Sequence, residues 1–172
     1  MKRLTLSFFF VLFSVGCISA QDMSKPPAPV HNEVFDAMIG TWTGESEMMG
    51  MKMAETLNFS WDLNHQYVIM TLSGVGTDDP SMTYTGMAIM GVNPAGGSKT
   101  WWFDDWGMDR TMQGTGTFSG MTYRMFGEND AYTDDRTISW NENGQMVMTW
   151  KGDVHVPGFE MSMNGVTVYT KR

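Results

Sequence analysis

The stretch Met38-Ile39-Gly40-Thr41-Trp42-Thr43-Gly44-Glu45 decides the fold. Before it, Val34-Phe35-Asp36-Ala37-Met38-Ile39 is a short apolar segment with helical character, and Gly40 follows as its stop. Glycine ends helices because it enters the left-handed region without a Cβ clash. After Gly40 the pattern changes from helical to alternating, and Trp42 is its first large side chain. The reading is a short helix that closes one end of a β-structure, with Trp42 as the plug of the first strand.

Downstream of Trp42 nearly everything alternates and is cut by glycine turns. Ser46, Met48, Met53, Leu57, Phe59 and Trp61 interleave with Glu45, Glu47, Lys52, Glu55 and Asn58, giving two strands bent around Gly50. Gln66 to Ser73 is a third strand, Gly74 to Pro80 a loop and Met82 to Val92 a fourth strand. Asn93-Pro94-Ala95-Gly96-Gly97 is a turn, followed by Thr100 to Asp104. Arg110 to Phe118 and Met121 to Gly127 pair around Ser119-Gly120, and Arg136 to Trp140 and Gln145 to Lys151 pair around Asn143-Gly144. An Asn-Gly dipeptide supplies the positive φ angles a tight hairpin needs. Phe159 to Thr170 is the last strand, with Asn164-Gly165 as a bulge or kink.

About ten short strands at 8–12-residue spacing imply an all-β chain, either a closed antiparallel sheet or a sandwich. Short hairpin connections make sequence neighbours sheet neighbours, and closing such a meander removes both exposed edges. Gly86, Gly91, Gly114, Gly116 and Gly127 lie inside strands and suit the bends of a small barrel. The expectation is an antiparallel up-and-down β-barrel with a short N-terminal helix closing one end.

Upstream, residues 1–20 read as a signal peptide: Lys2 and Arg3 form a basic start, Leu4 to Val15 is apolar, and Ile18-Ser19-Ala20 precedes cleavage before Gln21. The apolar run is shorter than the ~20 residues of a membrane-spanning helix. The chain is therefore expected to be exported, to the periplasm or beyond. Cys17 is the single cysteine, so no intrachain disulfide can form. Ser14-Val15-Gly16-Cys17 also looks like a lipobox, with Ser14 where leucine is usual, and acylation of Cys17 would make the protein a membrane-anchored lipoprotein. Residues 21–30, with Pro26, Pro27 and Pro29, form an extended leader, and 31–172 form the barrel domain.

The chain has 11 Lys+Arg against 19 Asp+Glu, a net charge of −8. Removing the signal takes Lys2 and Arg3 and no acid, so the mature chain is more acidic still. Such a body repels phosphate backbones and anionic headgroups, which excludes nucleic acid as a partner.

A short helix, Gly40-x-Trp42 and a meander ending in Val168-Tyr169-Thr170-Lys171-Arg172 resemble the calycin superfamily of lipocalins, fatty-acid-binding proteins and nitrobindins. The resemblance implies that Gly40 and Trp42 form the barrel floor and that Lys171 or Arg172 packs across the indole. Within that group the mature chain is most similar to a bacterial family, domain of unknown function fifteen-seventy-nine. Phe35 to Glu45, Trp61-Asp62-Leu63-Asn64, Tyr84-Thr85-Gly86 and the C-terminal pentapeptide carry that similarity. It implies a fold and no mechanism.

The chemistry-bearing residues are sparse. His31, His65 and His155 have no metal-ligand spacing and read as loop histidines, which leaves haem of the nitrobindin kind without an axial ligand. Asp104, Asp105 and Asp109, and Asp130, Asp134 and Asp135, read as acidic turns without calcium-loop spacing. No nucleophile–base motif appears, so the chain is expected not to be an enzyme, and no cofactor is expected.

Methionine is abundant, 19 in all. Met146/Met148 and Met161/Met163 each share a strand face. They read as adaptable filler of a core, as the lining of a ligand cavity, or, for Met49, Met51 and Met53, as soft ligands for cuprous copper. The candidate cavity or mouth residues are Met48, Phe59, Trp61, Tyr84, Trp102, Met146, Met148 and Trp150. Alternation sends Trp102 to one face and Trp101 and Phe103 to the other, where the helix residues Val34, Phe35 and Met38 are one candidate cover. The functional expectation is an exported barrel binding a small apolar ligand. The alternative is a packed cell-envelope interaction module.

Overall fold

The structure, a computed structural model, describes residues 25–48, 50–93, 96–108 and 111–172, with the side chain of Met48 left aside. The signal segment, Cys17, Met49, Pro94, Ala95, Asp109 and Arg110 lie outside the described residues.

Helix α1 spans Glu33–Met38. Asn32 caps it, its side-chain oxygen accepting from Val34 N at 3.1 Å and Phe35 N at 3.0 Å, two of the donors a helix start leaves unpaired. Gly40 follows with φ of 125°, a conformation that side-chain-bearing residues rarely adopt, and begins the first strand. Ten strands follow: β1 Gly40–Met48, β2 Met51–Asp62, β3 Tyr67–Gly76, β4 Thr83–Val92, β5 Ser98–Asp104, β6 Met112–Ser119, β7 Thr122–Glu128, β8 Tyr132–Trp140, β9 Met146–Val156 and β10 Phe159–Lys171. All neighbours pair antiparallel, and β1 pairs with β10 to close the barrel, as the short connections predict.

One end, the floor, holds α1 and the turns after β2, β4, β6 and β8. Val34, Phe35 and Met38 sink into it, and Phe35 meets Phe118 and Tyr123 edge-on at 5.2 and 5.3 Å between ring centres. The helix therefore plugs the floor and does not cover Trp101 or Phe103, which face outward with Phe103 exposed. Above the helix, Trp42, Leu57, Phe59, Val68, Met70 and Met146 fill the lumen with buried apolar atoms. The Trp42 indole N–H donates to Met38 O at 2.7 Å, tying plug to helix. Lys171 Nζ lies 5.3 Å from the Trp42 ring centre, whereas the described contact of Arg172 is its backbone N–H to Thr41 O at 2.9 Å. The leader lies along the turn after β2, where Val30 N donates to His65 O at 3.0 Å and Gln66 Nε2 to Ala28 O at 2.8 Å.

Several boundaries differ from the sequence reading. Gly74 to Gly76 continue β3, although no large side chain marks them. β8 begins at Tyr132, so Asp134 and Asp135 are strand residues and not an acidic turn. β9 runs on to Val156, which puts His155 in a strand and not a loop. Gly165 pairs regularly with Trp150, so no bulge forms there.

Candidate functional site

Floor and mouth halves of the lumen differ in kind. Toward the mouth the inward positions become Glu55 on β2, Tyr84 on β4, Asp104 on β5, Tyr132, Asp134 and Arg136 on β8, and Trp150 on β9. Arg136 Nε donates to Asp134 Oδ2 at 2.7 Å. The guanidinium also stacks over the Trp102 ring at 5.5 Å, and Nη1 reaches Met148 Sδ at 3.8 Å. The Asp134 side chain is 3% exposed and its Oδ1 has no hydrogen-bond partner. Arg136, facing inward from a closed barrel, is nevertheless 24% exposed. Solvent therefore reaches part of this inward side chain.

Two further carboxylates line this half. Glu55 accepts from Ser46 Oγ at 2.6 Å and from the Tyr169 hydroxyl. Asp104 accepts from Trp102 Nε1 at 3.0 Å, Tyr84 Oη at 3.3 Å and Trp106 N at 3.0 Å. Burial, and then Asp134, push the Tyr132 phenol up to about 12. Burial followed by Asp104 raises Tyr84, and burial followed by Glu55 raises Tyr169; all three phenols stay protonated at neutral pH, and Tyr84 and Tyr169 donate to Asp104 and Glu55. Burial works against the Arg136 charge, but Asp134 offsets it, and the Arg136 pKa lies above its ordinary value.

Glycines hold the large rings against the wall. A Cβ on Gly86 would stand 2.4 Å from Trp102 Cζ2, and one on Gly165 would stand 2.7 Å from Trp150 Nε1. With hydrogen there instead, each indole packs directly against the neighbouring strand. Floor and mouth are thus neither uniformly packed nor uniformly open, and neither sequence expectation describes the lumen whole. Two other concavities, about 370 and 330 Å³, are open grooves on the outer wall. The first is spanned by Arg124 bound through both nitrogens to Asp135 at 2.9 and 2.6 Å.

Of the cavity residues expected from the sequence, Tyr84, Trp102, Met148 and Trp150 come together around Arg136. Phe59 and Met146 lie in the sealed floor. Trp61 sits beneath the helix, stacked on His65 at 5.4 Å with its N–H on Asp36 Oδ1 at 2.7 Å, and so does not line the mouth. Met48 ends β1 at the mouth, and Met51 and Met53 share the inward face of β2. Among the described residues no three His, Cys, Asp or Glu side chains converge as metal ligands. Sequence reading missed Glu55, Asp134 and Arg136. The signal was available in Tyr132-x-Asp134-x-Arg136-x-Ile138-x-Trp140, a strict alternation across the acidic run.

This geometry defines a calycin-like, lipocalin-like barrel with an apolar floor and a polar mouth half. An S-type phycobiliprotein lyase from Guillardia theta has the same fold, with a TM-score of 0.63, 9% identity, and 81% of this chain covering 91% of that one. Rv2717c from M. tuberculosis matches with a TM-score of 0.57 and 11% identity over 82% of this chain and 98% of that one. No family model matches the chain, and no curated protein matches it in sequence. The expectation that the chain is not an enzyme is corrected by the first likeness: a lyase is built on this barrel, so a missing nucleophile–base motif excludes nothing.

Proposed function

We propose that the chain is an exported lipocalin-like protein, of the fifteen-seventy-nine kind, that binds a small amphipathic molecule in the mouth half of its lumen. The observation that supports this is the partial exposure of the inward Arg136 beside flattened indoles, above a sealed floor. Flat aromatic walls with a few convergent polar groups are what a small-molecule site requires. Met53, Met148, Met161 and Met163 add thioether surface that adapts to irregular ligands.

Gly86→Val tests the reading. The new side chain occupies the place of the Trp102 ring, which must swing across the lumen. Binding of a neutral probe, N-phenylnaphthylamine, followed by its fluorescence, is expected to weaken at least about tenfold, a loss of about 1.4 kcal/mol. Unchanged affinity in a variant with native near-ultraviolet dichroism sinks the lumen as the site.

Export is proposed from the sequence of residues 1–20. Intact mass of the protein from an exporting host is expected to give an N-terminus at Gln21 or an acylated Cys17. Soluble material beginning at Met1 defeats both.

A further inference from the structure

Resting on that reading, we infer that the lumen selects amphipathic protonated amines, an ammonium head with an apolar tail, over carboxylates. Among the described residues, the inward faces of the mouth half carry Glu55, Asp104 and Asp134 against one guanidinium, Arg136. Arg136 is matched to Asp134 through Nε at 2.7 Å. Among the described residues, Glu55 and Asp104 are held by neutral donors, Ser46 and Tyr169 for the first and Tyr84, Trp102 and the Trp106 N–H for the second. Such bonds orient a carboxylate without cancelling its charge. The lumen is left negative, and between low-dielectric walls a unit charge acts further than in water.

Asp134 points the same way independently. It is 3% exposed, and its Oδ1 is an acceptor that no donor among the described residues fills. A donor-bearing head group supplies what the protein does not, whereas a carboxylate has nothing to donate and must compete with Asp134 for Arg136. The ring faces of Tyr84 and Trp150 complete the cradle, since an aromatic face attracts a cation, as Trp102 holds Arg136 at 5.5 Å. At the mouth, the turns present exposed Asp78, Asp79, Asp105 and Asp130, and the start of β10 presents exposed Glu160, a field that draws cations toward the opening.

The test is a calorimetric titration of the full mature chain with three ligands of one tail length: decylammonium, decanol and decanoate. The expected order is ammonium tightest and decanoate weakest, with at least about tenfold between them. High salt is expected to narrow the gap at the mouth, and Glu55→Gln with Asp104→Asn is expected to reduce it to about threefold or less. Decanoate binding as tightly as the ammonium overturns the charge preference while leaving the lumen site standing. A gap that survives in the double variant overturns its assignment to these carboxylates. If none of the three ligands binds, the lumen reading and the preference fall together.

Discussion

Trp42→Ala is expected to destabilise the barrel by about 3–5 kcal/mol, the usual cost of truncating a large buried aromatic. Trp42 is 2% exposed and sits where β1, the helix and the first floor layer meet. Removing it opens a cavity against Phe35, Met38 and Leu57, and it deprives the Met38 carbonyl of the indole N–H at 2.7 Å. The cation above the ring contributes far less. Lys171 is exposed, and Lys171→Met is expected to cost no more than about 1 kcal/mol. Urea unfolding followed by tryptophan fluorescence distinguishes the two, since Trp42→Ala should move the midpoint several times further than Lys171→Met. Equal midpoints for Trp42→Ala and the parent chain would remove the plug from the account of the fold.

The floor was legible because its physics is that of ordinary β-structure. Leu57, Phe59, Val68, Met70 and Ala88 are apolar at every second position, and the turns at Ser119-Gly120 and Asn143-Gly144 carry the positive φ angles their glycines foretell, 53° and 73°. The pattern failed toward the mouth. There the inward positions are Glu55, Gly74, Gly76, Asp134, Arg136 and Gly152, which a hydrophobic alternation reads as loop or outer surface. Asp134 reads as a solvated turn residue because the hydrophobic pattern starts the next strand at its partner, Arg136. Gly165 reads as a bulge or kink because sequence does not show that Trp150 lies over it. Local rules broke where polar groups and glycines replace core residues, and those positions form the candidate site.

Arg136→Met is expected to cost about 3–5 kcal/mol, because it leaves the carboxylate of Asp134 buried without its cation. The two halves of the pair are not equivalent. Asp134 is 3% exposed and Arg136 24%, so Asp134→Asn, which leaves the guanidinium in contact with the open lumen, should cost less than Arg136→Met. Replacing both at once, Asp134→Leu with Arg136→Met, removes the desolvated charges together with the orphan Oδ1. Buried ion pairs exchanged for apolar residues of similar bulk commonly return to within about 1 kcal/mol of the parent or exceed it. That outcome is expected here, read as the urea midpoint of the double variant against each single one. A lumen that can be made apolar without loss of stability has kept its charges for something other than folding. If the double variant is as unstable as Arg136→Met alone, the pair is structural, and the polar lining of the mouth half no longer argues for a ligand.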